Sequence, residues 1–444
     1  GQIFCLMFLQ FVSAATGMAA AAVLFNALKA RTSEKLGNFY DYFIKSCTRI
    51  LLPLCIIVAT IMVFNGTPQT IEGKDTMITI QGDTVQVSRG PAAEFIAIKH
   101  IGTNGGGFYG ANSAHPFENP NYFTNIIMMI SQVLIPIAMV FALGFYLKKR
   151  KLSVMIFGVM TAGFIFLLLP TIYFEMQGNT AIEQMGISQP DGNMEGKEIR
   201  FGSAASSYWS IATTVISTGS VNSMHDSFMP LSGMNMMLGM MINSFYGGVG
   251  VGMLNFFVFI IIAVFISGLM VGRTPEFMGK KIEAREMKIA TIVFLLHPFL
   301  ILVGTALSSY FAAHDTAMGY WFAGNASGWL NNPDHHGFSE MLYEYTSSSA
   351  NNGSGFEGLG DANPFWNITT GIVLLLSRFL PIIGPLAIAG LLAQKKYIPE
   401  SAGTLRTDTA TFGVMIFAVK IILVGLAFFI ALALGPIAEH FNLY

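Results

Sequence analysis

The chain has 444 residues, 53% of them hydrophobic and only 11% charged, with a net charge of −1, and a mean hydropathy of +0.58. Soluble domains carry about 25% charged residues, so most of this surface must face lipid, and the near-zero charge argues against nucleic acid as a partner. Cys5, Cys47 and Cys55 are scattered in apolar runs, which suits small buried hydrophobes rather than a disulfide framework or a thiolate metal site.

A bilayer span takes about 20 mostly apolar residues. Such runs occur at 3–28, 46–64, 122–146, 153–174, 251–271, 286–308, 366–392 and 411–434. The chain opens on Gly1 and is apolar from Ile3, with no basic region of the kind that precedes a signal peptide. A further apolar stretch at 231–246 meets the fifth run through Gly247, Gly248, Gly250 and Gly252. Each glycine gives up about 1 kcal/mol of helix propensity, so this pair reads as one long helix broken in the middle.

Lys and Arg gather after alternate spans, at Lys29, Arg31 and Lys35, at Lys148 to Lys151, at Arg273 to Lys288, and at Lys395, Lys396 and Arg406. The positive-inside rule places these connections in the cytoplasm. The long segments 65–121, 175–230 and 309–365 then lie outside. In the first of them, residues 76–89 alternate and read as a β-hairpin around Gly82 and Asp83. The chain holds no Walker A loop, nucleotide fingerprint or Asp-Lys-Thr-Gly phosphorylation motif.

An internal repeat carries the chemistry. Thr103-Asn104-Gly105 matches Asn351-Asn352-Gly353, each followed by a Pro-Phe-x-Asn signature at Pro116 and Pro364, and Ser217-Thr218-Gly219 is a diverged third copy. Each copy follows an amphipathic stretch, at about 91–102, 203–216 and 337–349, read as a half-helix. The intervals between Gly105, Gly219 and Gly353 are similar, and one further interval back from Gly105 falls just before Gly1. The first span therefore reads as the closing helix of a repeat whose own loop precedes Gly1. The fold class expected is an all-α polytopic membrane protein of pseudo-fourfold helix–pore loop–helix repeats, like a K⁺ channel, with the first repeat incomplete and one extra C-terminal helix.

In residues, the incomplete repeat covers 1–35. The second repeat covers 36–150 with its pore loop at 91–112. The third covers 151–285 with its pore loop at 203–222 and a broken second helix at 231–271. The fourth covers 286–397 with its pore loop at 337–356, and 398–444 is the C-terminal transmembrane helix. A dehydrated K⁺ needs a cage of oxygens, and backbone carbonyls from several loops supply one. Glycine and small hydroxyl residues let those carbonyls face an axis. Irregular backbone at membrane depth is tolerated only where it lines a cavity or is packed in protein.

These segments also carry a resemblance. GTNGGGF at 102–108, ANSAHPFENP at 111–120, NMEGKEIRF at 193–201, MHDS at 224–227, GRTPE at 272–276, ANNGS at 350–354 and ALGP at 433–436 together resemble the A-subunit family of the potassium-transporting Kdp ATPases, in the superfamily of K⁺ transporters, from end to end. The resemblance implies a selectivity filter at Thr103, Asn104, Gly105, Ser217, Thr218, Gly219, Asn351, Asn352 and Gly353, with Thr218 standing where the family usually has cysteine. It implies a barrier below the filter at Gly247, Gly248, Gly250 and Gly252, and an ion-path or gate role for Arg378. It also implies K⁺ as the transported ion, no organic cofactor, a bacterial inner membrane and no catalysis by this chain alone. The implied partners are a P-type ATPase catalytic subunit, a single-span accessory subunit and a small peptide subunit. A self-sufficient K⁺ channel or cation-coupled K⁺ transporter of the same superfamily is the alternative.

Other ionisable residues read more plainly. Arg378 sits mid-span, where a charge is functional by default. Lys420 lies nearer a span's start and reads as structural, and His297 reads as a buried helix residue. His335 and His336 would need further ligands at defined spacing to bind a metal, and read as a solvated loop. His225 and Asp226 read as loop anchors. Asp315, Asp334, Glu340, Glu344, Glu357 and Asp361 crowd the last outer segment. They either concentrate cations at a pore mouth or reflect topology alone.

Overall fold

The computed structural model describes residues 1–314, 322, 324–399 and 406–443, and Asp315 lies outside them. Among the described residues, eight helices are long and apolar enough to cross a membrane: Gln2–Lys29, Phe39–Phe64, Tyr122–Leu147, Arg150–Gln184, Val251–Val271, Ala284–Ala313, Pro364–Gln394 and Ala410–Leu443. The protein is thus an all-α, multi-pass membrane protein, since a helix satisfies its own backbone groups where no water can. Each expected span falls inside one of these helices. Polar caps start several of them: the Asn121 side chain accepts from Thr124 N, Asn363 from Trp366 N and Thr409 from Phe412 N, each satisfying an orphan donor of the first turn. Two helices carry a π turn, at Cys47–Leu51 and at Ala433–Ile437.

The hairpin pairs β1 (Lys74–Ile78) with β2 (Thr84–Ser88), antiparallel, in register Lys74 to Ser88. Its turn is longer than a two-residue turn at Gly82 and Asp83. Thr79 N donates to Asp83 O at 2.8 Å and Gly82 N to Thr79 O at 2.9 Å, with Gly82 at φ +91.

The three expected half-helices are too short to span. They are Ala92–Ile101, Gly202–Ile216 and Asp334–Ala350, of 10, 15 and 17 residues, which reach about 15 to 26 Å at 1.5 Å per residue. The last begins three residues before its expected start at 337. The broken helix is present, as Pro230–Ile242 and Val251–Val271 separated by 243–250. Val251–Val271 is the most enclosed of the eight spanning helices, and Met236, Met237, Met240, Phe245 and Phe256 pack around the break, all fully buried.

The basic connections meet at one end of the bundle. Lys280 Nζ donates to Lys395 O at 2.8 Å and to Arg31 O, Lys395 Nζ pairs with Glu286 at 2.8 Å, and Arg31 lies over the Tyr397 ring.

Candidate functional site

The three half-helices end in the same way. Thr103, Ser217 and Asn351 each take the left-handed conformation, at φ +49, +56 and +55. The following amides then reach back five residues, Asn104 N to Lys99 O at 2.8 Å, Thr218 N to Thr213 O at 2.9 Å and Asn352 N to Ser347 O at 2.9 Å. This is the Schellman ending, whose left-handed position is usually glycine. A residue with a Cβ there costs about 1–2 kcal/mol, and persists only where its surroundings enforce it.

The surroundings here are specific. Thr103 Oγ1 accepts from Val249 N at 3.1 Å, Ser217 Oγ donates to Asn243 Oδ1 at 2.9 Å, and Asn351 Nδ2 donates to Ser377 Oγ at 2.7 Å. The first two anchors lie on the helix break. The third lies beside Arg378. Each loop is therefore tied to what lies beneath it.

The loops converge. A Cβ on Gly105 would lie 2.7 Å from Gly219 C, and one on Gly219 would collide with Asn352 O, so three backbones meet at one point. Thr103, Asn104, Gly105, Ser217, Thr218, Asn351 and Asn352 line a single cavity of about 160 Å³, together with Gly248 and Arg378. Gly219 sits at the junction, and Gly353, at φ +101, lies outside the lining. Of the glycines of the break, Gly248 alone lines the cavity. Gly247 and Gly250 supply positive φ, at +61 and +78. Gly250 seats against Gly17 of the first helix and Gly252 against Tyr246 O, with no room for a Cβ at either.

Hydroxyls, amide side chains, backbone and the Arg378 guanidinium make up the cavity's polar lining, and no carboxylate is among the lining residues. Three half-helix C-termini point into it, each presenting the negative end of a helix dipole. Arg378 is exposed to this space, and its guanidinium makes no hydrogen bond or ion pair among the described residues.

A rigid frame holds the loops. Gln10 Nε2 donates to Gly105 O at 2.9 Å, and Ser13 Oγ to Asn104 Oδ1 at 3.1 Å. Trp209 Nε1 donates to Ser220 O at 2.7 Å, and His100 Nε2 lies 2.9 Å from Ser220 Oγ. Asn352 Nδ2 donates to Thr213 O at 2.7 Å, joining two loops directly. From Asn352 Oδ1 a chain runs through Ser354 Oγ (2.6 Å) and Tyr343 OH (2.9 Å) to His225 Nδ1 (2.9 Å). Burial and the nearby Lys197 charge push His225 down to about 3, which keeps it neutral in this chain.

Two fully buried ion pairs stand behind the loops, Lys99–Glu118 and Lys197–Glu175, both at 2.9 Å. Lys99 Nζ also bonds Asn112 Oδ1 at 2.8 Å, and Glu118 accepts from Tyr109 N at 3.1 Å and from Phe108 N. Glu175 accepts from Met229 N at 2.8 Å and Asn193 Nδ2 at 3.0 Å. Buried charges persist when their remaining hydrogen-bonding capacity is met in this way.

Some expectations need correction. His336 is not in a solvated loop. It sits in the first turn of Asp334–Ala350 with its side chain 15% exposed, bonded to Asp226 and Glu439. Among the described acids of the last outer segment Glu340 is fully buried, whereas Asp334, Glu357 and Asp361 are exposed. Lys420 lies in the middle of Ala410–Leu432, fully buried, and donates to Ser244 O of the break at 3.1 Å. His297 is a helix residue as expected, but only half-buried, bonded to Ser349 Oγ at 2.7 Å and Met240 O at 3.1 Å.

Gln10, Ser13, Gly17, Asn243, Asn255 and Ser377 belong to the site and were not singled out from the sequence. The available signal was a polar residue inside an apolar run, which is expensive in a membrane.

Known proteins point in the same direction. A family model described as the potassium-transporting ATPase A subunit matches residues 1–441. A protein of Flavobacterium psychrophilum named potassium-transporting ATPase potassium-binding subunit is 75% identical over all of this chain and 77% of its own length. One of Flavobacterium johnsoniae with the same name is 74% identical over 99% of this chain and 76% of its own. A Geobacillus kaustophilus protein of that name is 47% identical over all of this chain and 77% of its own length. Matched along nearly its whole length by that family model, the chain belongs to the family of potassium-transporting ATPase A subunits.

Proposed function

We propose that this chain is the potassium-binding, non-catalytic subunit of an ATP-driven potassium importer, and that Thr103, Asn104, Gly105, Ser217, Thr218, Gly219, Asn351, Asn352 and Gly353 form its K⁺ site. The observation that carries this is the meeting of three identically ended half-helices at one carboxylate-free cavity. K⁺ gives up its water most readily to an array of fixed oxygens whose position costs no reorganisation. Three helix C-termini add negative potential without a formal charge, which suits a weakly held monovalent ion. A carboxylate ring would hold divalent ions more strongly.

Below the loops, Gly248 and the other glycines of the break, with Arg378, restrain the ion. A cationic guanidinium on the path is an electrostatic barrier of the kind used in selective pores. ATP hydrolysis falls to another subunit, a P-type ATPase chain, assembled with a single-span accessory subunit and a small peptide subunit. The basic connections then lie on the cytoplasmic side, and K⁺ enters from the loop side.

The test is K⁺ uptake by the assembled complex in proteoliposomes, with and without ATP. ATP-dependent uptake that is lost in Gly219→Ala supports this reading. Rapid K⁺ flux through the purified chain without partners or ATP would favour a self-sufficient channel instead.

A further inference from the structure

We propose that Asp226, His336 and Glu340 form a binding site for a divalent transition-metal ion, with Zn²⁺ as the best fit, at the loop end of the bundle and apart from the K⁺ cavity. One donor atom from each residue lies within 4.8 Å of the others. His336 Nε2 is 3.0 Å from Asp226 Oδ1 and 4.0 Å from Glu340 Oε1. Zn²⁺ bonds of about 2.0–2.2 Å to nitrogen and oxygen set donors roughly 3.2–3.6 Å apart in a tetrahedral site, so small rotations of side chains suffice.

Two features point to an ion rather than to an acidic patch. Glu340 is fully buried, and its Oε2 has no hydrogen-bond partner among the described residues, so its lone pairs are available to a metal. His336 Nδ1 lies 2.7 Å from Glu439 Oε1, the carboxylate–histidine arrangement that orients an imidazole and frees its other nitrogen for a metal. Among the described residues no Lys or Arg pairs with Asp226, Glu340 or Glu439. Gly358 passes over the cluster, where a Cβ would lie 2.6 Å from Asp226 Oδ2 and 2.8 Å from Glu340 Oε1, so glycine keeps the approach open.

The imidazole donor favours Zn²⁺ over Mg²⁺ or Ca²⁺, which take oxygen. Three protein ligands leave a fourth position for water. The ligands come from the turn after the second loop, the start of the third half-helix and, through Glu439, the last helix. The His336 ring stacks on Phe356, and Phe356 on Tyr343, which bonds Ser354. The ion would clamp the outer frame of two loops.

The test takes the assembled complex, stripped with a chelator and titrated with Zn²⁺ alone, then with Co²⁺ as a spectroscopic probe. The expected result is one Zn²⁺ per chain, a raised unfolding midpoint and Co²⁺ d–d bands of a nitrogen–oxygen site. His336→Gln and Glu340→Gln should abolish uptake of the metal, and Glu439→Gln should weaken it about 10- to 100-fold. Absence of stoichiometric Zn²⁺, or metal uptake unchanged in the ligand variants, overturns the proposal. Should those variants fail to assemble, unchanged affinity in Glu439→Gln overturns it equally.

Discussion

Lys420 Nζ donates to Ser244 O at 3.1 Å and lies 3.7 Å above the Phe256 ring, so a fully buried lysine of the last spanning helix is fastened to the break in another. A charge in this position is desolvated on every side, and its compensation is one carbonyl and three aromatic faces. Lys420→Met ends the cost of burying a charge but leaves Ser244 O without its donor, a loss of about 1–3 kcal/mol. Lys420→Met is therefore expected to lower the unfolding midpoint of the complex modestly while it frees residues 243–250. Passive K⁺ efflux from proteoliposomes without ATP should rise; efflux equal to that of the unaltered complex would argue against a restraining role for the break.

The glycines of the loops differ in what they tolerate. Gly219 has φ +79 and no room beside Asn352 O, whereas Gly110 has an ordinary φ and open space where a Cβ would project. Gly219→Ala must displace a neighbouring backbone and should reduce K⁺ affinity by at least tenfold, roughly 1.4 kcal/mol. Gly110→Ala should leave it unchanged. K⁺-dependent ATP hydrolysis by the complex reads both.

Arg378 faces the cavity without a protein partner among the described residues. Removing its charge lowers the barrier to a cation, so Arg378→Ala should increase K⁺ leak and weaken the coupling of uptake to ATP. Arg378→Lys, which keeps the charge, should restore much of it. Equal coupling ratios in the unaltered, Ala and Lys complexes would remove Arg378 from the ion path.

The pair Lys99–Glu118 is buried on both sides. Glu118→Gln leaves a buried ammonium without its counter-charge and should destabilise the complex by about 3–5 kcal/mol. Lys99→Met combined with Glu118→Gln should lose less than the single change. Thermal unfolding of the three complexes measures this, and a double variant less stable than Glu118→Gln would refute the assignment.

Much of the architecture was legible along the chain. The apolar runs fall inside their helices, which extend well beyond them at the start of Phe39–Phe64 and at the ends of Arg150–Gln184 and Ala410–Leu443. The loops announce themselves by the recurrence of Thr-Asn-Gly, Ser-Thr-Gly and Asn-Asn-Gly. What stayed hidden is the conformation that makes the recurrence meaningful. Thr103 and Ser217 carry side chains that disfavour positive φ, and only Val249 N and Asn243 Oδ1, brought from elsewhere in the fold, hold them there. Likewise, His336 and Glu340 lie four apart on one helix, but no spacing in the chain links them to Asp226 or Glu439.

The sequence by itself determined which segments are helices, how many spans the described chain contains and where its three glycine-bearing loops lie. Those are local properties, set by hydropathy, period and the demand that backbone in lipid bond to itself. The tertiary structure alone decided which polar residues come together: Gln10 with Gly105, Asn352 with Thr213, Lys420 with Ser244. Those pairings depend on how helices distant in sequence pack side by side, and a buried polar group accepts whichever partner that packing delivers, because remaining unpaired costs more.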